Sequence, residues 1–191
     1  MSKPKTFSKF DEAGRLITNF ERWQSIHAES RKWRGRYKLI ARHIFPGESV
    51  IEFGCGDMAL RDYLHPNCAY QPSDLIARNN NCLVIDLNKN LPEDLETRYS
   101  VAVFAGVLEY VSDVYRILTW SLSHADRVCF SYATTDDFPD IDHRSKVYGW
   151  FSHLSRDAII EIGVKIQKES HIRLTDRWHR QDIFTLSVKK K

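Results

Sequence analysis

Apolar positions change their period partway along the chain. Residues 7–45 read as helical, and in the later half Trp33, Tyr37, Ile40 and Ile44 recur at steps of four, three and four, which aligns them on one helix face. Pro46-Gly47 ends that pattern. From Ser49 onward the apolar residues gather into short runs of strand length: Ser49–Phe53, Cys68–Tyr70, Cys82–Ile85, Val101–Phe104, Arg127–Phe130, Val164–Gln167 and Ile183–Val188. Helical segments separate several of them. One spans Ala59–Leu64 and stops at His65-Pro66. A second spans Asp113–Leu122, with Ser112 as its cap and Val114, Ile117 and Leu118 on one face. A third begins at the cap Ser155, runs to Ile162 and is ended by Gly163. A turn is expected at Gln71-Pro72-Ser73, and the polar, aromatic stretch from Ser131 to Ser152 has no clear period. Strands alternating with helices predict an α/β fold with a mainly parallel sheet covered on both faces. Any ligand site then collects at the carboxyl ends of the strands.

A length of 191 residues fits one domain, and 42% hydrophobic residues supply enough material for a sizeable core. No run of 18 apolar residues occurs, so no membrane span is expected, and the first seven residues show no apolar segment of a secretory signal. Cys55, Cys68, Cys82 and Cys129 form no Cys-x-x-Cys pair and lie in or beside apolar runs, which predicts free thiols and a cytoplasmic location. The eight histidines are scattered, so no metal site is expected. Charge is uneven: residues 1–50 carry eleven Lys or Arg against five Asp or Glu. The densest basic run, Arg31–Lys38, interleaves cations with aromatics and suits either an anionic ligand or nucleic acid. A helix with a solvated basic face is the preferred reading.

The sharpest chemical feature is Val50-Ile-Glu52-Phe-Gly54-Cys-Gly56-Asp57. Glycines directly after a strand let the backbone turn tightly and let a ligand lie against bare amides. Gly54-Cys-Gly56-Asp-Met-Ala59 also fits a relaxed dinucleotide pattern, so an NAD-binding protein is one alternative. Glu52 opposes it, because a carboxylate beside a pyrophosphate repels it, whereas a cationic ammonium or sulfonium is attracted.

Glu52-Phe-Gly54-Cys-Gly56 resembles the first motif of the class I S-adenosylmethionine-dependent methyltransferases, and the resemblance runs over about residues 37–188. Three further segments carry it: Tyr70–Asp74, Val84-Ile-Asp86-Leu87, and Phe104-Ala-Gly-Val-Leu-Glu-Tyr-Val111, the last similar to small-molecule and MetW-like members. Gly149–Ser155 also resembles a loop of that branch. The third glycine of the first motif falls instead at Met58. The resemblance implies a Rossmann-like, doubly wound, seven-stranded sheet with an antiparallel last strand. It implies S-adenosyl-L-methionine as cofactor, held by Glu52, Gly54, Cys55 and Gly56, by Asp74 at the ribose, by Asp86 and Leu87 at the adenine, and by Ala105 and Gly106. Each acid also has a plainer reading: Glu52 as an ion-paired strand end, Asp74 as turn punctuation and Asp86 as a loop cap. Cys55 reads as a small filler, not a nucleophile.

The division expected is a helical extension, 1–45, packed on a methyltransferase domain, 46–191. The extension covers the cofactor pocket and buries Phe20, Trp23, Trp33 and Tyr37. The expected reaction is methyl transfer to oxygen or nitrogen of a small-molecule, sugar or lipid-linked acceptor, with residues 131–153 forming the acceptor side. His153, then His143, then Glu109 are the candidate bases. A non-catalytic S-adenosylmethionine-binding relative is the other alternative. No nucleic-acid-binding module is recognisable, and the sequence carries no signal of oligomeric state.

Overall fold

The computed structural model describes residues 18, 20–24, 30–89, 91–166 and 170–188. Seven strands form one sheet in the order β3-β2-β1-β4-β5-β7-β6. They are β1 (Ser49–Phe53), β2 (Ala69–Asp74), β3 (Leu83–Val84), β4 (Tyr99–Ala105), β5 (Ala125–Tyr132), β6 (Ser170–Trp178) and β7 (Gln181–Val188). The first five are mutually parallel, and β7 runs antiparallel to both its neighbours. The expected topology is therefore the one observed.

Alternation along β1 sorts the core. Ile51 and Phe53 join Phe104, Phe130 and Phe184 on one face. Val50 lies on the other with Val101, Val103 and Ile183, beneath helix α2 (Arg34–Ala41). The predicted stripe holds there, with Tyr37, Ile40 and Ile44 buried against that face. The opposite face is covered by α3 (Val114–His124) and α5 (Arg156–Ile166), whose buried residues include Ile117, Leu118 and Ile159. Among the described residues no helix is long and apolar enough to cross a membrane.

Several expectations are corrected. The helix predicted over 7–45 is interrupted in its described parts: α1 is Phe20–Gln24, then a 3-10 turn over Ser30–Trp33 leads into α2. Residues 7–17 and 25–29 lie outside the described ones. The turn expected at Gln71-Pro72-Ser73 is strand, because β3 stands opposite only Ser73 and Asp74 and leaves Pro72 without a partner on that side. Asp113, not Ser112, caps α3, its carboxylate accepting from the Arg116 amide. Ser155 caps α5 as expected, accepting from the Ala158 amide. Gly163 does not end that helix. It sits inside, where any Cβ would press against Ile172 of β6. Val164 to Ile166 are consequently helical, Gln167 falls outside the described residues, and the sixth strand is Ser170–Trp178. The stretch without a period holds the end of β5 and a short helix, α4 (Ile141–Lys146), capped by Asp140.

Candidate active site

A cavity of about 670 Å³ opens at the carboxyl ends of β1, β2 and β4. That volume lies in the range of small-ligand sites, ~300–1,000 Å³. Gly54 and Gly56 line it, with φ of 67° and 54°. Such values cost an L-residue roughly 1–2 kcal/mol each. A Cβ at Gly56 would meet nothing within 4 Å, so the bare backbone faces open space. A Cβ at Gly54 would strike Val107. Met58, at the position of the missing third glycine, also adopts φ 60°. The left-handed turn is kept there with a side chain that disfavours it.

Of the other expected ligand contacts, Asp74, Asp86, Leu87, Ala105, Gly106 and Glu109 line the cavity. Glu52, Cys55, His143 and His153 do not. Glu52 shares the α2 face of β1, fully buried, and its Oε2 accepts from the Tyr70 hydroxyl at 2.5 Å, while Oε1 has no partner. Burial raises its carboxyl to about 8, with Asp57 and Asp74 adding and the Tyr70 bond and Arg36 opposing. Cys55 lies under the loop with its Sγ 4.0 Å from that of Cys82.

Asp74 closes β2 and gathers four donors: the Gly56 amide at 2.9 Å, the Leu75 amide at 2.7 Å, and Arg78 through Nε at 3.2 Å and Nη2 at 3.4 Å. It is thus a structural clasp on the glycine loop as well as a cavity wall. Asp86 accepts from Thr18 Oγ1 at 3.1 Å and from the Asn88 amide at 3.0 Å. Asn88 in turn holds the Tyr110 carbonyl and the Ser112 amide, which fixes the loop after β4.

Two side chains on the wall escaped the sequence reading as individuals. Arg36, inside the basic run, is buried, whereas Lys32, Arg34 and Lys38 are exposed. Its guanidinium lies over Gly106, where a Cβ would collide with it, and its Nη1 donates to Gln181 at 2.9 Å. Its Nε has no partner, and among the described residues no carboxylate stands within ion-pair distance. A buried cation left so is a site for an anion. His179, at the β6–β7 turn with φ 51°, is the other, and among the lining residues it is the one histidine.

The candidate bases rank differently in space. His153 is held between Arg144 Nε at 3.1 Å and Ser145 Oγ at 2.9 Å, off the cavity. His143 lies on α4 beside a separate cleft of about 150 Å³. Neither therefore lines the cavity: His153 is engaged by Arg144 and Ser145, and His143 is exposed on α4 beside Tyr148. Glu109 does reach the wall. It is buried, its Oε1 accepts from the Ala133 amide at 2.8 Å, its Oε2 is unpartnered, and burial pushes its carboxyl upward. Of the extension's aromatics, Trp23, Trp33 and Tyr37 line the cavity, while Phe20 stays 40% exposed. The acceptor-side stretch contributes Phe138, Val147, Tyr148 and Trp150.

No protein-family model and no curated protein matches the sequence. Solved structures do match. The chain is similar to a 1,6-didemethyltoxoflavin N1-methyltransferase of Burkholderia thailandensis, solved with S-adenosylhomocysteine (TM-score 0.64, 12% identity, 90% of this chain and 84% of that one). It is similar to the magnesium protoporphyrin IX methyltransferase of Synechocystis PCC 6803 (0.57, 18%, 92% and 90%). It is also similar to the pyocyanin biosynthetic protein PhzM (0.62, 11%, 89% of this chain), of which it spans 61%. The chain has the class I methyltransferase fold. Identities of 11–18% establish architecture alone.

Proposed function

We propose that the protein transfers a methyl group from S-adenosyl-L-methionine to oxygen or nitrogen of a small-molecule acceptor. The observation that carries this is the cavity itself. It places a left-handed glycine loop, two strand-end acids and a buried arginine, with no carboxylate partner among the described residues, around one volume. S-adenosylmethionine, when bound, supplies an activated methyl group. The chain's own residues would hold and align it. Gly56 leaves room for the ligand, Asp74 faces a ribose diol, Asp86 and Leu87 face a base, and Arg36 answers the amino-acid carboxylate. Glu52 sits one layer below the loop, off the cavity wall, with its carboxyl held largely neutral by burial. Within the expected extension 1–45, Trp23 and Trp33 of the described residues cap the cavity and exclude water, and the free thiols suit a cytoplasmic enzyme.

Catalysis then rests mainly on alignment, which supplies ~7–11 kcal/mol when donor and acceptor are held in line. His179 is the group positioned to take a proton from the acceptor, and Glu109, its carboxyl pushed upward by burial, to hydrogen-bond it. The test is a melting panel with S-adenosylmethionine, S-adenosylhomocysteine and NAD, followed by assays of S-adenosylhomocysteine release over an acceptor set. At 100 times its dissociation constant a ligand adds ~2.7 kcal/mol. That corresponds to a rise of about 5–11 °C for a chain of this size. Stabilisation by NAD and not by the sulfur nucleosides overturns the proposal. Binding of the nucleosides without turnover on any acceptor favours the non-catalytic relative.

A further inference from the structure

Three of the four acids on the cavity wall, Asp57, Asp74 and Asp86, follow β1, β2 and β3, and the fourth, Glu109, follows β4 beside Phe151 and Ser152. Asp74 is paired with Arg78, Asp86 is tied to Thr18 and Asn88, and Asp57 accepts from the Ala59 amide. Aromatic residues line the same cavity: Trp33, Tyr148, Trp150 and Trp178, with Phe138, Val147 and Arg180 also on its wall. Tyr148 and Trp150 stack at 4.7 Å and 26°, and Phe138 meets Trp150 edge-on at 5.7 Å. Trp33 and Trp178 face each other at 5.6 Å. Flat aromatic walls of this kind favour a flat ring, which stacks or meets edges without surrendering hydrogen bonds.

Arg180 gives the second half of the argument. Its guanidinium carbon lies over Phe138, 3.9 Å from the ring centroid. It also lines both the main cavity and the adjoining 150 Å³ cleft, as do Phe138 and Tyr148. The neighbouring arginines are committed: Arg177 to Asp137 and Asp182, and Arg156 to Asp136, Asp137 and Asp182. Among the described residues no carboxylate lies within ion-pair distance of Arg180. Asp140, the acid lining the adjoining cleft, caps α4. The mouth of the acceptor end therefore presents an unneutralised guanidinium in front of an aromatic chamber.

We propose that the acceptor is a small planar aromatic carrying an anionic group, carboxylate or phosphate, with the ring in the chamber and the anion on Arg180. This deepens the methyltransferase reading and rests on it. A guanidinium fork offers paired donors to either anion, and the stacked ring beneath holds the fork in place. Arg180 then determines specificity.

The experiment measures binding by tryptophan fluorescence, with S-adenosylhomocysteine saturating. The probes are 2-naphthoate, 2-naphthyl phosphate, 2-naphthamide and cyclohexanecarboxylate. At least one naphthyl anion is expected to bind about tenfold or more tightly than the amide and than the non-planar acid. The tighter of the two names the anion. In Arg180→Gln that preference over the amide is expected to vanish, while calorimetry shows S-adenosylhomocysteine affinity unchanged. Equal binding of the anions and 2-naphthamide to the parent overturns the proposal, and so does a preference that survives in Arg180→Gln. Cyclohexanecarboxylate binding as tightly as naphthoate overturns the planar part. Selective naphthyl-anion binding by a protein that ignores S-adenosylhomocysteine would overturn the methyltransferase reading and leave the anion site standing.

Discussion

Replacing Glu52 by Gln is expected to stabilise the protein in alkali and to change little in acid. The Glu52 carboxyl is fully buried with one oxygen unpartnered, and its folded-state value is raised from 4.5 to about 8, burial being the main cause. A raised carboxyl means that the folded state holds the proton more tightly than the unfolded chain does. Below pH 4.5 both states are protonated and Glu52 costs nothing. Between 4.5 and 8 the unfolded chain ionises first, so stability falls as pH rises, and above 8 the full cost is present. At ~1.36 kcal/mol per unit, the interval amounts to about 5 kcal/mol, a large share of a typical ~5–15 kcal/mol. Gln stays neutral throughout, and its carbonyl still accepts from Tyr70. The measurement is the melting temperature of both proteins from pH 5 to 9. The variant is expected to match its parent within ~1 kcal/mol at pH 5 and to exceed it by about 10–20 °C at pH 9. Comparing the two at each pH cancels the titration of every other group. A difference that stays flat over this range would refute the reasoning, because Glu52 would then ionise as an exposed carboxylate does.

Gly56→Val is expected to fold with a loss of ~1–2 kcal/mol from the left-handed backbone and to lose S-adenosylhomocysteine binding, since its side chain enters space that is now open; normal calorimetric affinity would move the ligand elsewhere. Asp74→Ala is expected to do two things at once. Affinity for S-adenosylhomocysteine drops ~10–150-fold, the equivalent of ~1.5–3 kcal/mol, and stability drops ~3–5 kcal/mol because buried Arg78 loses its carboxylate; unchanged affinity in a destabilised protein would leave Asp74 a clasp only. His153→Ala is expected to keep turnover while melting earlier, by the ~1–3 kcal/mol of an unpaired buried donor at Arg144. His179→Ala is expected to keep its melting point and lose turnover ~10²–10⁴-fold where it takes the proton. Initial rates beside melting curves separate the two histidines, and the reverse pattern would return His153 to the chemistry.

Much of the cavity's strand-end frame was legible because short-range chemistry dictates it. A β-rich run followed by Gly54 and Gly56 has few backbone solutions, and those solutions put a left-handed turn without side chains at the end of β1. Asp74 and Asp86 were legible as strand-end acids, although Pro72 disguised the last residues of β2 as a turn. What escaped depends on contacts distant in sequence. Arg36 differs from Arg34 and Lys38 only in its phase on α2, and that phase matters because Gly106, seventy residues away, leaves a hollow for its guanidinium. The strand Ser170–Trp178 was hidden by its place at the sheet edge, where charged residues and a register shift near Leu174 blunt the alternation. Gly163 read as a helix stop because the reason for it, the close approach of Ile172, lies in that same unseen strand.

The same long-range logic bears on where proton transfer falls. Counting histidines along residues 131–153 favoured His153 and His143, yet α4 spends that stretch on its own support: Asp140 caps it, and Arg144 bonds the Ala133 carbonyl and His153. The β6–β7 turn instead carries His179 and Arg180 together to the mouth. A base and an anion-binding group on one two-residue turn are held in a fixed relation by the strands on either side. An acceptor anchored through its anion therefore meets His179 at a set distance from that anion. The spacing between charged group and methylated atom becomes the quantity that the turn measures. Glu109, with its carboxyl pushed upward and one oxygen unpartnered, suits a hydrogen-bond donor to the acceptor better than a base, because burial favours its neutral form. Proton removal and anion binding thus share the turn, while Glu109 stands on the segment after β4.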